Sequence, residues 1–232
     1  MLVGSGMMAQ AFLPYAESQR IVIFASGVSN SLETDPRAFS KEQILLADVR
    51  SANPQALLVY FSTSSIEDTD RRNTPYVKHK LAMESYLANS PGQWLVLRLP
   101  LVIGRGHRGA TFAQFLYQKI SEGESFEIWA NATRYPIDVD DVLRVAREFI
   151  ENRQFANQRI NIALRSYPAT EFVRLMEEIV GKSARCVQVG KGSHQEILCP
   201  EVIQLAEKFK LDYSDSYLER ILRKYFAPRT LQ

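Results

Sequence analysis

Tyr76 and Lys80 stand four residues apart in Tyr76-Val77-Lys78-His79-Lys80, shortly after the hydroxyl cluster Ser62-Thr63-Ser64-Ser65. On a helix that spacing stacks the two side chains on one face. An ammonium beside a phenol favours the phenolate and would pull the tyrosine from about 10 towards neutrality. A hydroxyl from the cluster could hold a substrate oxygen at the same point. Together these groups can move a proton on or off an alcohol or a carbonyl. Taken alone, the Tyr/Lys pair reads more readily as a solvated pair on a helix surface. Its placement favours chemistry, because the helix follows a strand that ends in hydroxyls and the chain opens on a glycine turn.

The elements that must position these groups are legible from the pattern. Leu57-Leu58-Val59-Tyr60-Phe61 is an apolar strand that delivers the hydroxyl cluster, and Pro75 suits the entry of a helix over 76–88. Met1-Leu2-Val3 is a short apolar run, followed by Gly4-x-Gly6-x-x-Ala9 and a helical pattern over 10–16. That is the shape of a pyrophosphate turn: the first glycine permits the bend, the second lets backbone approach phosphate, and the small third residue packs helix on strand. A plain strand-to-helix turn is the alternative. Ile21-Val22-Ile23-Phe24 reads as a buried strand running into Ala25, Ser26 and Gly27. Ligands bind at such carboxyl ends in open α/β sheets, although an acid that would hold ribose hydroxyls is missing there. Further helices are expected over 39–51, 111–121, up to Ile150, 170–180, 202–210 and 217–225. Further strands are expected over 94–99, 126–129 and 159–163. The alternation predicts a parallel sheet with helices on both faces.

Composition narrows the function classes. A chain of 232 residues can bury a core as one domain with a small appendage, and a net charge of +2 leaves no electrostatic footprint for nucleic acid. No apolar run is long enough to span a membrane, and the first residues do not read as a secretory signal, so a cytoplasmic location is expected. Cys186, Cys199, His79, His107 and His194 do not sit at metal-ligand spacings, so no metal is expected.

The ordered motifs resemble the extended short-chain dehydrogenase/reductase family, in its nucleotide-sugar epimerase/dehydratase branch. The resemblance is carried by Gly4-x-Gly6-x-x-Ala9, Ser62-Thr63-Ser64, Tyr76-x-x-x-Lys80, Arg98-Leu99-Pro100 with Gly104, Arg134 through Val142, and Arg159-Ile160-Asn161-Ile162. It implies a Rossmann-like doubly wound parallel sheet over residues 1–105. Residues 106–232 would form mostly a small C-terminal α/β substrate-binding part, with some elements returning to the core. It further implies NAD or NADP as cofactor, with contacts from Gly4, Gly6, Met7, Met8, Ala25, Ser26, Gly27, Ser62, Tyr76, Lys80 and Pro100. Tyr76 would be the acid/base, Lys80 its activator, and Ser64 the hydroxyl that orients the substrate oxygen, with Thr63 as the neighbouring alternative. Arg134 would hold the diphosphate of a nucleotide sugar, where a planar fork suits two oxygens. A homodimer through the tyrosine helix and its neighbour is implied as well. Asp141 reads as a cap or hydrogen-bonding residue.

Two departures stand out. The chain passes from its first helix straight to what resembles the family's fourth strand, so the strands that shape the adenine side are absent. Leu101 also stands where many relatives have an Asn beside the substrate. The implied activity is reduction, epimerisation or dehydration of a nucleotide-activated sugar, with surface-polysaccharide synthesis as its setting. Glu67 and Asp68 do not fall clearly where a dehydratase acid belongs, which favours reductase or epimerase. The alternative is a degenerate relative that serves as a binding or regulatory subunit without turnover.

Overall fold

A computed structural model describes residues 1–105, 111–194 and 196–228; Gly106 and His107 lie outside the described residues. The first half runs β1 (Leu2–Val3), α1 (Met7–Ala11), β2 (Ile21–Phe24), α2 (Pro36–Ala52), β3 (Leu57–Thr63), α3 (Pro75–Asn89) and β4 (Trp94–Leu99). The second half runs β5 (Leu101–Ile103), α4 (Phe112–Glu122), β6 (Ser125–Trp129), β7 (Thr133–Arg134), β8 (Pro136–Asp138), α5 (Val139–Glu151), β9 (Gln158–Asn161), β10 (Tyr167–Pro168), α6 (Ala169–Val180), β11 (Arg185–Val189), α7 (Pro200–Lys208) and α8 (Tyr217–Phe226).

The central sheet has the order β1-β2-β3-β4-β9 and is parallel throughout. All seven residues of β3 are buried, as expected of a strand covered on both faces. Alternation splits the core in two. Val22, Phe24, Leu58, Tyr60 and Val96 meet Leu46, Val49, Met83 and Leu87 of α2 and α3. Ile23, Val59, Phe61, Leu95 and Leu97 meet Met7, Phe12 and the apolar face of α5. The steps from β1 to β2 and from β2 to β3 go the same way across the sheet, yet α1 and α2 lie on opposite faces. The two crossovers therefore have opposite hands, against the strong right-handed preference. Helix α1 sits where it would lead to a strand on the open side of β1. Among the described residues no such strand exists, and β1 is the sheet edge. This is the shortened sheet that the sequence implies.

Local chemistry sets the helix ends. The Asp35 carboxylate accepts from Arg37 N–H before Pro36, and the Thr74 hydroxyl accepts from Val77 N–H before Pro75. Gly123 and Gly181 close α4 and α6 in the left-handed conformation. The first helix differs from its expected span of 10–16. It starts at Met7 and ends at Ala11, and Pro14 sits in a following 3-10 turn, Leu13–Tyr15. A proline inside the expected helix would clash with the preceding turn and remove a donor. Outside the central sheet, β5 pairs with β8 and β6 with β11 in parallel, and β7 pairs with β10 antiparallel. Four of these short strands, β5, β7, β8 and β10, lack the length that periodicity needs to reveal them, and β11 is exposed or half-buried along its five residues and carries no apolar run.

Candidate active site

Tyr76 falls in the first turn of α3 and Lys80 one turn later, so the cap at Thr74 fixes where both side chains start. Strand β3 ends at Thr63, whose hydroxyl accepts from Ser65 N–H at 3.1 Å and turns the chain into a 3-10 segment, Ser64–Ile66. The Tyr76 phenol is buried and hydrogen-bonded with the Thr63 hydroxyl. Of the two hydroxyls left open by the sequence, Thr63 is therefore the one that meets the phenol. Ser64 is buried beside it.

Lys80 makes its hydrogen bonds away from the Tyr76 phenol. Lys80 Nζ lies 5.9 Å from the Tyr76 ring centre, but it donates to Glu42 Oε1 at 3.0 Å and to Tyr60 Oη at 3.1 Å. Glu42 also accepts from Tyr60 Oη at 2.5 Å and from Val28 N–H at 2.6 Å, and its Oε2 lies 2.9 Å from His79 Nε2. Burial would push the Glu42 carboxyl up. The Lys80 charge and the hydrogen bonds from His79, Tyr60 and Val28 outweigh it and hold the group at about 2. Tyr76 moves the other way from expectation, up to about 12: burial dominates, the Thr63 hydrogen bond opposes it, and the Glu42 charge adds to it. Burial pulls the Lys80 ammonium down, against the Glu42 charge.

The glycine turn packs directly on the loop that follows β2. Gly4 has φ +123, and a Cβ there would lie 2.3 Å from the Ala25 carbonyl oxygen, so both conformation and space require glycine. Gly6 caps α1, and a Cβ there would meet nothing within 4 Å. Backbone at Gly6 is thus open to an incoming group, as dinucleotide phosphates require. Met7 is buried against Gly104, while Met8 and Pro100 are half-buried. Gly27 lies over the Lys80 pair: its Cβ would stand 2.7 Å from both Glu42 Oε1 and Lys80 Nζ. The turn therefore fits a dinucleotide's phosphate end, whereas Lys80 is closed in by Gly27 and committed to Glu42. Ser62 shares a face with Tyr60, and its hydroxyl donates to Glu84 at 2.7 Å. Glu84 is buried and also binds Arg98 (2.8 and 3.0 Å) and Arg159 (3.1 Å), tying α3 to β4 and β9.

Arg134 ends β7. Its guanidinium donates to the Thr133 carbonyl at 2.8 Å and lies 5.5 Å from the Phe112 ring centre. It forms no ion pair among the described residues. Burial, then the nearby charge of Arg71, push it down to about 10 against Asp68 and Asp70. Arg71 in turn lies 3.5 Å from Ser31 Oγ and 3.7 Å from Asp68. The loop after β2, the loop after β3 and the end of β7 thus converge on two arginines. Asp138 caps α5, and Asp141 accepts from Tyr217 Oη at 2.9 Å, so both serve the scaffold. Among the described residues no group of three His, Cys, Asp or Glu side chains could hold a metal.

Sequence reading missed Glu42, Glu84 and Arg71. Phe39, Glu42, Leu46 and Val49 follow helical spacing, as do Val77, Lys80, Glu84 and Leu87. A carboxylate within a buried stripe was the available signal. Arg71 had none, since it sits in a loop.

A parallel sheet with helices on both faces, a glycine turn at its edge strand and a Tyr/Thr pair with Lys80 at a strand's carboxyl end define a Rossmann-like α/β protein with a candidate acid/base site. Residues 16–163 match the model of the NAD dependent epimerase/dehydratase family, and the chain belongs to that family. No curated protein matches it in sequence. Solved structures share the fold. A UDP-glucose 4-epimerase from Thermotoga maritima with UDP-glucose superposes with TM-score 0.68 at 18% identity, covering 95% of this chain and 81% of that one. A GDP-mannoheptose C4 reductase from Campylobacter jejuni with NADP bound gives 0.68 at 17%, covering 97% and 96%. RMD from Pseudomonas aeruginosa complexed with NADPH gives 0.64 at 18%, covering 89% and 81%. No described helix is long and apolar enough to cross a membrane.

Proposed function

We propose that this chain is an NAD- or NADP-dependent oxidoreductase of the reductase, epimerase or dehydratase type, acting on a nucleotide-activated sugar. The observation that carries the reading is the buried Tyr76–Thr63 pair at the end of β3, one helical turn from Lys80. The dinucleotide, when bound, supplies the hydride chemistry. Tyr76 gives or takes the proton at the sugar oxygen, and Thr63 with Ser64 holds that oxygen. Backbone at Gly4, Gly6, Met7 and Met8 and the loop at Ala25, Ser26 and Gly27 take the dinucleotide. Arg134 binds the diphosphate of the sugar nucleotide, where its half-buried guanidinium lacks an ion-pair partner among the described residues. Surface-polysaccharide synthesis in the cytoplasm is the setting this substrate class suggests. A homodimer through α2 and α3 is supported by the exposed Ile44 on the outer side of α2.

A second reading, a binding or regulatory subunit without turnover, is favoured by one observation: Lys80 is committed to Glu42. Thermal-shift titration with NAD, NADP, UDP-sugars and GDP-sugars decides between them, because a ligand that binds only the native state raises the melting temperature. A dinucleotide shift followed by turnover supports the enzyme. No dinucleotide shift at millimolar levels supports the subunit.

A further inference from the structure

We propose that this chain holds a nicotinamide dinucleotide by its pyrophosphate and nicotinamide half alone, leaves the adenosine half beyond the edge of the sheet, and so takes NAD and NADP without distinction. The inference rests on the dinucleotide-binding reading above and assigns its cofactor selectivity.

The sheet supplies one side of the usual crevice. In a doubly wound sheet the dinucleotide lies across the point where the strand order reverses, with strands on both sides of it. Here β1 carries the glycine turn and is the edge, and β2, β3, β4 and β9 all lie to one side of it. Helix α1 ends at Ala11 and β2 begins at Ile21. The 3-10 turn Leu13–Tyr15 takes up part of that link, and the rest is too short for another strand with its own crossover. The glycine turn abuts the end of β2 instead, since a Cβ at Gly4 would stand 2.3 Å from the Ala25 carbonyl oxygen.

Charge is missing where the adenosine ribose would be read. Sites that select NAD place a carboxylate on the ribose 2′-hydroxyl, and sites that accept NADP place an arginine near the 2′-phosphate. From Gly4 to Leu32 the charged side chains are Glu17 and Arg20. Both precede β2, which runs parallel to β1, so they lie at the amino end of the sheet and away from the glycine turn. Glu33 and Asp35 accept from backbone N–H groups at the entry to α2, and the exposed Arg37 lies 3.7 Å from Asp35. Solvated charges of this kind discriminate little. Arg71 follows β3, two strands in from the edge, and lies 3.5 Å from Ser31 Oγ and 3.7 Å from Asp68. Arg105 is exposed and follows Gly104, which packs on Met7 at the start of α1. A cation there meets the pyrophosphate that both dinucleotides share.

The test uses the full chain, with NADH, NADPH, reduced nicotinamide mononucleotide, 5′-AMP and 2′,5′-ADP as probes, read by nicotinamide fluorescence and calorimetry. A charged contact to the 2′ position separates the two dinucleotides by about tenfold or more. NADH and NADPH should instead bind within about threefold of each other, with the ratio unchanged from low to physiological salt. The reduced mononucleotide should displace NADH, whereas 5′-AMP and 2′,5′-ADP should not, even in large excess. Arg105→Ala should change the affinity for both dinucleotides by the same factor. A preference of about tenfold for either dinucleotide, displacement of NADH by 5′-AMP or 2′,5′-ADP, failure of the mononucleotide to displace it, or a ratio shifted in Arg105→Ala overturns the proposal and leaves the dinucleotide-binding reading in place. Binding of neither NADH nor NADPH at millimolar levels overturns both.

Discussion

Lys80 Nζ and Glu42 Oε1 are 3.0 Å apart in a part of the core where α2, α3, β3 and the loop after β2 meet. The pair ties acid stability to the site. Glu42 is held at about 2 in the folded chain against an ordinary 4.5. A depressed carboxyl contributes stability above its unfolded value and loses it as pH falls through the folded one. The contribution is about 3 kcal/mol at neutral pH, by about 1.4 kcal/mol per unit, and it drains away between pH 4.5 and 2. Urea titrations across that window should show the wild type losing stability more steeply than Glu42→Gln. Parallel curves would mean that Glu42 is not ionised in the native state.

Tyr76→Phe removes one hydroxyl and leaves the buried ring in place. The loss is one hydrogen bond with Thr63, about 1 kcal/mol and a few degrees in melting temperature for a chain of this size. Turnover should fall by about 10² to 10⁴, the usual worth of a positioned acid. Dinucleotide-coupled absorbance and a melting curve read both quantities. Full activity in the variant would remove Tyr76 from the chemistry.

How far the site could be read in advance depended on whether its residues share an element. Tyr76 and Lys80 do, and α3 stacks them as their spacing requires. The central strands were legible because each is a buried apolar run; β3 is buried along its whole length. Glu42 and Lys80 lie 38 residues apart on two helices. Only the packing of α2 and α3 on the same sheet face brings them together. The strand period of two places Ser62 with Tyr60, which sends its hydroxyl to Glu84. Strands β7 and β10 are two residues each and exist only through their mutual pairing. Arg71 and Arg134 converge through loops, whose paths no periodicity records.

Arg134 lies half-buried over Phe112 with a backbone carbonyl as its hydrogen-bond partner. A guanidinium in that state gains most from an anion with two oxygens. Arg134→Ala should weaken binding of a UDP- or GDP-sugar by about tenfold or more, measured by calorimetry. Arg134→Lys should recover only part of the loss, since a point charge cannot form the fork. Dinucleotide binding should be unchanged in both. An unaltered sugar-nucleotide dissociation constant in Arg134→Ala would place the diphosphate elsewhere.

The outer side of α2 supplies the last expectation. Ile44 is 62% exposed, and with Pro36, Lys41, Leu45 and Asp48 it lines a shallow groove of about 530 Å³. The inner side of the same helix holds Glu42, Leu46 and Val49 in the core. In a dimer related by a two-fold axis through this face, each patch meets its own copy, so one substitution acts twice. Ile44→Glu puts two carboxylates into an apolar contact, and their desolvation and mutual repulsion should split the dimer. Because Ile44 is outside the core, the monomer should keep its fold and melting temperature within about a degree or two. Sedimentation equilibrium reads the assembly and circular dichroism the fold. A wild type that sediments as a monomer, or a variant that remains a dimer, would move the interface off α2.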